Sequence, residues 1–490
     1  MLSYFIMLIL AAQAKNLPKE LQALLKLSSD GDYSNKVTCK KPSVKTMVQL
    51  WEGHPNECIH EDSNSYLSIQ YEKYLADKRL EFHSELIDVW AVIEDKALDQ
   101  DLWNPVTGIG YSEKSSSSRL AIMNLDSVCL LGEKDQYNRT AEYILKLNLH
   151  EQGVIDVYDM VTQEIGALLS TFYLSKDKNI LEKAKTAGEF LLKMYENWYP
   201  YSSYDVNKAQ GFYDTISIKH ILNLNEIYVL HFHTGDSRYM TIISQVISNI
   251  EDLLKYEVLP QYAIVKNNKL KYSGSITSDS SSAEVARILW NNWILSNKTA
   301  NIFKDLYEKT KAYTIKKLPY TNDQGEILLV ERNGDDIKYK MHLKMCAWAG
   351  VLGQESLVNF NMTLLKFSHK LLTSCFKFFT GGNLPADYLY LSANKITMED
   401  KYFSIPSEIF ESAYYMQKAT SDGNFRKVVS FAFSSIKAKL KRKYGFTILG
   451  KDMMPEDFLS KTLKYLMLIY SDNRLVRALM TTTGHFLGYH

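Results

Sequence analysis

The chain has 490 residues, and 46% of them are apolar, which is enough for one large core or two to three cores of ordinary size. Its 57 Lys and Arg residues are matched by 56 Asp and Glu residues, so the net charge is only +1. Because no overall positive field attracts phosphate groups, the composition argues against binding to nucleic acid or to an acidic membrane surface. We expect a globular protein.

The chain begins with an apolar segment of about eleven residues that ends in Ala12-Gln13-Ala14, a small-x-small cleavage pattern. This segment is too short to span a bilayer. We expect residues 1–14 to be a signal peptide, with a short uncleaved anchor as the alternative, so that any membrane association comes through this segment alone. Three sequons, which begin at Asn138, Asn297 and Asn361, fit a lumenal glycoprotein.

The five cysteines are too few for a disulfide scaffold, and none forms a Cys-x-x-Cys metal or redox pair. Cys346 and Cys375 lie in neighbouring predicted helices and could be bridged in an oxidising compartment. Cys39 and Cys58 could close a small loop near the amino end. Cys129 lies in an apolar run, which is typical of a buried thiol.

The segment 15–75 is polar with little periodicity, and we expect it to be an irregular stem or leader. Residues 76–490 are predicted to form one domain that is helical almost throughout. Its first predicted helix runs from Glu81 to Leu98. The apolar positions of that helix recur at helical spacing: Leu86, Val89, Trp90 and Ile93.

From about residue 120 onward an apolar helix, a short polar turn containing Asp and a second helix recur. The turns centre on Asp177, Asp236, Asp422 and Asp472. Their uneven separations favour helical hairpins closed into a ring, with a central cavity, over an open solenoid. The segments 256–272 and 326–340 are predicted β-hairpins, with turns at Asn267-Asn268 and Asn333-Gly334.

The stretch 404–421 is a predicted helix with Ser404 as its N-cap and Pro406 in its first turn. Glu408, Glu411 and Tyr415 share one face of this helix at helical spacing. Two interpretations remain open, a solvated acidic face or a pair of acids that reach into a cavity. Elsewhere, Ser281 and Glu284 have the spacing of a capping box.

Eight segments in order resemble those of one known family, the class I α-mannosidases or glycoside hydrolase family 47. The segments are Asn104 to Gly108 after the first helix; Leu125-Asp126-Ser127 with Leu131-Gly132, similar to DALDTLYIMG; Val157-Tyr158-Asp159 with Gly166 to Ser170, similar to VFETTIRVLGGLLSAY; Glu226 with Thr234-Gly235-Asp236, similar to LEFxxLSxLTGD; Cys346 to Gly353, similar to HLVCFLPGMLALG; Glu408 to Ser412, similar to RPEVIES; Thr462 to Leu466, similar to ETLKYLYLLFSD; and Thr482 to His485, similar to TEAH. The resemblance covers about residues 80–490.

The resemblance implies an all-α fold, an (α/α)7 barrel with a few β-hairpin excursions. It implies an inverting glycosidase that removes terminal α-1,2-linked mannose from high-mannose N-glycans in the lumen of the endoplasmic reticulum or Golgi. The role would be glycan trimming or endoplasmic-reticulum-associated degradation, as in the degradation-enhancing mannosidase-like proteins. The alternative is a catalytically inactive member that binds glycans or misfolded glycoproteins. A disulfide between Cys346 and Cys375 and a bound calcium ion are further implications.

The resemblance also assigns roles to individual residues. Glu408 falls on the general base, and Glu411 and Glu226 fall on sugar-site acids. Thr482 falls on the threonine that binds calcium, and Asp159 stands at the position of the catalytic acid. A further family acid falls on Ala283, which makes the adjacent Glu284 a candidate catalytic residue, with the capping box as its alternative interpretation.

Several positions depart from the family pattern. Asp159 is one methylene shorter than the family's glutamate, a difference of about 1 Å at the carboxyl group. Gln163 replaces an arginine, Thr483 replaces the terminal glutamate, and Pro455 replaces an acid, with Glu456 adjacent. We therefore expect calcium binding at Thr482 to persist with lower affinity, and we expect the polar lining of the barrel to differ from that of its relatives.

Overall fold

The computed structural model describes residues 66–488 with internal gaps. The gaps are residues 113–117, 197–198, 214, 267–268, 275–279, 334–335, 360, 393–394, 399–401 and 472–478. The predicted signal peptide, the Cys39–Cys58 pair, the stem before residue 66 and the turn at Asp472 lie outside the described residues. The structure does not test the predictions made for these segments, and they remain predictions from the sequence.

The described helices form two concentric sets of seven, as an (α/α)7 barrel requires. The inner set is α2 (Arg119–Leu131), α4 (157–175), α7 (Asn225–Thr234), α9 (Ser280–Leu295), α11 (Ala347–Asn359), α13 (Ser407–Thr420) and α15 (458–469). The outer set is α1 (Tyr66–Lys96), α3 (Lys134–Lys146), α5 (Lys178–Leu192), α8 (Ser237–Ile250), α10 (Asn301–Lys317), α12 (Met362–Phe376) and α14 (Asn424–Leu440). Each inner helix contacts the next in chain order, and α15 contacts α2, which closes the ring.

Burial distinguishes the two sets. The inner helix α13 is buried continuously from Ser407 to Gln417, because it packs against neighbouring inner helices and against the outer layer. The outer helix α8 is buried along one stripe only, at Tyr239, Ile242, Ile243, Val246 and Ile250, the pattern of a helix with one face in solvent. The acids of α13 therefore lie inside the barrel, and the interpretation of a solvated acidic face is wrong.

The predicted Asp-containing turns connect inner helices to outer helices. Asp177 and Asp236 are the N-caps of α5 and α8, and each accepts a hydrogen bond from the backbone N–H two residues later. Asp422 accepts the equivalent bond from Asn424 N at 2.9 Å. The residue before each Asp has a positive φ, at Lys176, Gly235 and Ser421. This left-handed residue ends the inner helix, and the Asp starts the outer one.

Short antiparallel β-hairpins project from the helical ring. Strands β9 (Tyr262–Lys266) and β10 (Lys269–Ser273) form the first predicted hairpin. In the second predicted region, β12 (Ile327–Leu329) pairs with β11 (Pro319–Thr321), and β13 (Glu331–Asn333) pairs with β14 (Asp336–Lys338). The remaining strands are β1 (Leu102–Asn104), β2 (Ile109–Tyr111), β3 (Val154–Asp156), β4 (Tyr195–Glu196), β5 (Tyr199–Pro200), β6 (Ser203–Asp205), β7 (Gln210–Phe212), β8 (Thr215–Ser217), β15 (Lys340–His342), β16 (Tyr388–Ser392), β17 (Lys395–Thr397), β18 (Lys441–Arg442) and β19 (Gly445–Phe446). A short helix, α6 (Ile218–Leu222), follows β8.

Three sequence predictions of local structure need correction. Helix α1 begins at Tyr66 rather than Glu81; its added turns include Leu67, Tyr71 and Leu75 at helical spacing, in a segment that the sequence prediction had assigned to the stem. Helix α13 begins at Ser407 with Pro406 as N-cap; Ser404 instead donates from its backbone N to Asp387 Oδ1 at 2.9 Å. Helix α9 begins at Ser280, so Ser281 already lies inside it and cannot cap it.

Two inner helices contain π-helical turns. Helix α4 consists of the α-helical turn Val157–Asp159, the π-helix Met160–Ile165 and the α-helix Gly166–Ser175, and α15 consists of the π-helix Phe458–Leu463 followed by Lys464–Ile469. A π-turn inserts an extra residue and rotates the side chains that follow it, and such turns are frequent at functional sites. Here they lie in the two helices that bring Asp159 and Lys461 towards the barrel axis.

The disulfide that the resemblance implies is present. Cys346 and Cys375 are bonded with their Cα atoms 6.3 Å apart, which ties the turn before α11 to α12. Immediately beyond it, Ser412 of α13 donates to Cys346 O at 2.9 Å and accepts from Gly350 N at 3.1 Å. A Cβ on Gly350 would lie 2.8 Å from Ser412 Cα, so this close approach of α11 and α13 requires glycine.

Replacing both bonded cysteines tests how much the disulfide stabilises the barrel. Loss of a crosslink across a sequence separation of 29 residues is expected to lower the free energy of unfolding by about 3 to 4 kcal/mol, because the unfolded chain gains conformational freedom. Denaturant unfolding of the Cys346→Ser, Cys375→Ser double variant measures this change. Cys129→Ser, at a half-buried free thiol, is the control. An equal loss in both variants would contradict the crosslink explanation.

Candidate active site

Two glutamates of α13 face the barrel axis one helical turn apart. Glu408 and Glu411 are both buried, and Lys461 of α15 lies between them. The Lys461 Nζ atom is 3.5 Å from Glu408 Oε1 and 3.2 Å from Glu411 Oε2. The lysine is itself buried, so its positive charge offsets part of the negative charge of the two glutamates where water cannot.

Glu411 is held by further donors. Arg287 of α9 contributes its Nε, 3.0 Å from Glu411 Oε1, and the Tyr465 hydroxyl donates to the same oxygen at 3.2 Å. The Arg287 guanidinium also stacks over the Tyr415 ring at 4.7 Å and donates to Gln354 Oε1 at 3.1 Å. Both oxygens of Glu411 are therefore engaged by cationic or hydroxyl donors of the protein.

Glu408 has no such set of partners around its second oxygen. Burial alone would raise its pKa, but the ammonium groups of Lys461 and Lys344 outweigh burial and lower the pKa of Glu408 to about 2. Oε2 of Glu408 has no hydrogen-bond partner among the described residues. Glu408 is thus an ionised carboxylate with one oxygen available to a water molecule or a sugar hydroxyl.

A second group of site residues surrounds Tyr158 of α4. Glu284 of α9 pairs with Lys219 at 2.9 Å, which excludes the capping-box arrangement, and Lys219 Nζ lies 4.8 Å from the Tyr158 ring centroid. Burial raises the pKa of the Tyr158 hydroxyl, and the Thr482 side chain and Glu226 both lie close enough to influence that pKa. Glu284 also interacts electrostatically with Lys461, so the two groups lie close enough to influence each other.

Asp159, the next residue on α4, lies at the outer edge of this group. Its carboxylate is 3.5 Å from Arg119 Nη1, and Gln163 Nε2 donates to it at 3.3 Å. Burial and the neighbouring carboxylate of Asp156 raise the pKa of Asp159 to about 6, against the opposing effect of Arg119. Its side chain is 39% exposed, so its proton can be exchanged with solvent or with a ligand.

Glu226 of α7 is fully buried and is close to α4, since a Cβ on Gly166 would lie 3.5 Å from Glu226 Oε1. Asn223 Nδ2 donates to Oε2 at 2.7 Å, whereas Oε1 has no hydrogen-bond partner in the described part of the chain. Burial raises the pKa of Glu226 to about 7, and the bonds from its own backbone and from Asn223 offset only part of that effect.

A buried network of charged side chains fixes the turn that carries Thr482. Asp126 of α2 pairs with Lys464 Nζ at 2.7 Å and with His485 Nδ1 at 2.9 Å. Lys464 also donates to Gly484 O at 2.7 Å. Burial opposes ionisation of Asp126, but the two neighbouring cationic groups lower its pKa to about 2. The network holds residues 481–485 against α2 and α15.

The sequence did not identify the cations of the site, namely Lys461, Arg287 and Lys219. A signal for Lys461 was available. The motif ETLKYLYLLFSD, which Thr462 to Leu466 resemble, has a glutamate immediately before its threonine, and this chain has Lys461 there. Arg287 and Lys219 lie on α9 and α6 without a local pattern that would mark them.

The residues around Thr482 do not fit a calcium ion well. Calcium prefers several oxygen ligands whose negative charge is not otherwise balanced. Glu408, Glu411 and Glu284 are balanced by Lys461, Arg287 and Lys219, so these carboxylates already have cationic partners within the protein. Within the described ranges, no group of three or more His, Cys, Asp or Glu side chains could hold a metal ion.

Comparisons with known proteins agree with this architecture. The model of glycosyl hydrolase family 47 matches residues 86–489. A mannosyl-oligosaccharide 1,2-alpha-mannosidase of Arabidopsis thaliana is 22% identical over 81% of this chain and 76% of its own length. The endoplasmic reticulum mannosyl-oligosaccharide 1,2-alpha-mannosidase of Homo sapiens is also 22% identical, over 79% of this chain, which spans 60% of that relative's length.

Among solved structures, an alpha-1,2-mannosidase from Trichoderma reesei matches with a TM-score of 0.74, at 16% identity, over 84% of this chain and 98% of its own. A D-mannose isomerase matches with a TM-score of 0.51, at 12% identity, over 65% of this chain and 87% of its own. At these identities the structural matches show the fold alone.

The raised pKa of Glu226 predicts a pH-dependent loss of stability. A carboxyl group whose folded pKa is about 7 instead of 4.5 destabilises the fold progressively as pH rises between those values, because the unfolded chain releases its proton first. The full effect, above pH 7, is about 3 kcal/mol. We expect Glu226→Gln, which keeps an acceptor for Asn223, to be more stable than the parent at pH 8 and equal to it near pH 4.

Denaturant unfolding at a series of pH values measures this difference. Glu182→Gln is the matched control, because Glu182 is an exposed residue of α5 and its replacement should leave the pH dependence unchanged. A stability difference for Glu226→Gln that is the same at pH 4 and pH 8 would show that the pKa of Glu226 is the same in the folded and the unfolded protein, which would contradict the prediction.

Proposed function

Because the chain belongs to glycosyl hydrolase family 47, we propose that it is an inverting α-mannosidase that removes terminal α-1,2-linked mannose from high-mannose N-glycans. The observation that carries the proposal is a pair of carboxyl groups with oppositely shifted pKa values. Asp159 has a pKa of about 6, and Glu408 has a pKa of about 2. One group is therefore suited to donate a proton and the other to accept one.

In the proposed reaction Asp159 is the general acid. It protonates the glycosidic oxygen as the bond to the departing sugar breaks, while Glu408 accepts a proton from a water molecule that attacks the opposite face of the mannose ring. Arg119 and Gln163 orient the Asp159 carboxyl group through their contacts with it. The free Oε2 of Glu408 is the atom that would take the proton.

The remaining residues of the site would bind the sugar. Lys461 and Arg287 offer N–H donors to mannose hydroxyls, and Glu284 and Glu226 offer acceptors. Glu411 accepts bonds from Arg287 and Tyr465, so its part in substrate binding is to hold those donors in place. In this proposal Glu284 either binds the sugar or assists the general acid Asp159, through its contact with Lys219.

The proposed location is the lumen of the secretory pathway, in the endoplasmic reticulum or Golgi. The human relative is named as an enzyme of the endoplasmic reticulum. The sequon residues Asn138, Asn297 and Asn361 are all exposed on the barrel surface, where an oligosaccharide could be attached. In the described part of the chain, none of the helices combines the length and the apolar character that a bilayer crossing needs.

A second candidate function is glycan binding without hydrolysis. The observation that favours it is the position of Lys461, whose ammonium group lies 3.5 Å from the proposed base and reduces its affinity for a proton. Asp159 is also shorter than a glutamate at this position. In this function the protein would retain high-mannose N-glycans of misfolded glycoproteins, and the same cavity would bind the sugar.

The proposed activity is tested with an α-1,2-linked mannose oligosaccharide as substrate and released mannose as the measurement. We expect kcat/KM to fall as pH rises above about 6, since Asp159 must be protonated. Glu408→Gln and Asp159→Asn should each lower kcat by about 100-fold or more. Asp159→Glu should raise kcat, because the longer side chain brings the carboxyl group closer to the leaving oxygen.

Glu182→Gln is again the control, with unchanged activity expected. Binding of the oligosaccharide is measured in parallel by calorimetry. Binding by the parent protein without any release of mannose would favour the glycan-binding function, and release that persists undiminished in Glu408→Gln would refute the assigned roles.

A further inference from the structure

Lys461 connects the C-terminal turn to the acids of the barrel axis. Its side-chain stem packs against the turn, since a Cβ on Gly484 would lie 3.1 Å from Lys461 Cγ and 3.2 Å from Lys461 Cβ. Its ammonium group reaches Glu408 and Glu411. The turn of Gly484 also carries Thr482, so the lysine occupies the space between the predicted calcium-binding residue and the two glutamates.

The acids of the axis are balanced by cations of the protein itself. Their ion pairs are Glu411 with Arg287 and Lys461, Glu408 with Lys461, Glu284 with Lys219, and Asp126 with Lys464. Glu226 and Asp457 are exceptions in this part of the described structure, because the Asn223 amide donates to Glu226 and the Ser407 hydroxyl donates to Asp457. Within the described ranges, neither acid belongs to a group of three or more His, Cys, Asp or Glu side chains that could hold a metal ion.

A lysine in place of the family's glutamate at position 461 adds as much positive charge as a bound divalent cation would. The family motif has a glutamate before its threonine, with a charge of −1, and Lys461 has a charge of +1. The difference, from −1 to +1, is a gain of two positive charges. The ammonium group of Lys461 lies between two buried carboxylates, and its positive charge reduces the repulsion between them.

We infer that the ammonium group of Lys461 replaces a divalent cation in this barrel, so that the chain folds without calcium. The inference rests on the ion pairs of Lys461 and on the family motif, and it does not require the proposed hydrolysis. It differs from the expectation of a weakened calcium site at Thr482, because the cation is supplied by the chain itself.

Thermal unfolding of the full chain tests the inference, with the midpoint compared in millimolar calcium chloride and in a chelator. We expect no difference for the parent protein. Lys461→Glu restores the glutamate of the family motif, and we expect its midpoint to rise by several degrees when calcium is added. Calorimetry should then detect one calcium site in Lys461→Glu, and the additional substitution Thr482→Ala should weaken that site at least tenfold.

Lys266→Glu provides a matched control, because it makes the same charge change at an exposed position of the β9–β10 hairpin. It should show no response to calcium. If Lys461→Glu does not fold, Lys461→Gln removes the ammonium group without adding a third acid, and it should also gain a response to calcium.

The inference would be overturned if calcium raised the unfolding midpoint of the parent protein. It would also be overturned if Lys461→Glu and Lys461→Gln folded but their midpoints did not change when calcium was added. These measurements are independent of mannose release, so a failure of the proposed hydrolysis and a failure of this inference remain distinguishable.

Discussion

Lys461 holds its ammonium group 3.5 Å from Glu408 and 3.2 Å from Glu411 inside a ring of helices that shields all three from water. A buried ion costs several kcal/mol in desolvation, and a buried carboxylate left without its partner typically destabilises a protein by about 3 to 5 kcal/mol. The stability of this arrangement therefore depends on α15, which brings the lysine to the point between the two glutamates. The π-turn Phe458–Leu463 sets the rotation of the segment that does so.

Two rigid connections define the position of this ion cluster. On one side the Cys346–Cys375 disulfide and the Ser412 hydroxyl fix α13 against α11, with Gly350 allowing the helices to approach. On the other side Asp126 fixes α15 and the C-terminal turn through Lys464 and His485. Because each connection is buried and held by a disulfide, hydrogen bonds or ion pairs, the axial side chains are presented by helices that have little freedom to shift.

The sequence predicted the features that depend on local patterns. Asp177 and Asp236 marked turns because an aspartate cap after a left-handed residue is a local device, and the family motifs located the acids of α13. Other features depend on packing between distant segments. Ser404 fits the pattern of an N-cap, but Asp387, seventeen residues earlier, captures it. The family motif marks position 461 as a departure, but the ion pairs of Lys461 with Glu408 and Glu411 become visible only when the structure places the two helices side by side.

The ion cluster has opposing consequences for acid–base chemistry. Lys461 and Lys344 favour the ionised form of Glu408, which a general base requires. The same charges lower its pKa from 4.5 to about 2, so protonating it costs about 3 kcal/mol more than protonating an ordinary glutamate, and part of that cost enters the barrier for water attack. The pKa of Asp159 is shifted in the opposite direction, so its carboxyl group stays protonated to a higher pH and is better suited to donate a proton. The catalytic capacity of this chain is thus set by the charges placed around a conventional barrel, because the fold alone would permit either hydrolysis or simple retention of the sugar.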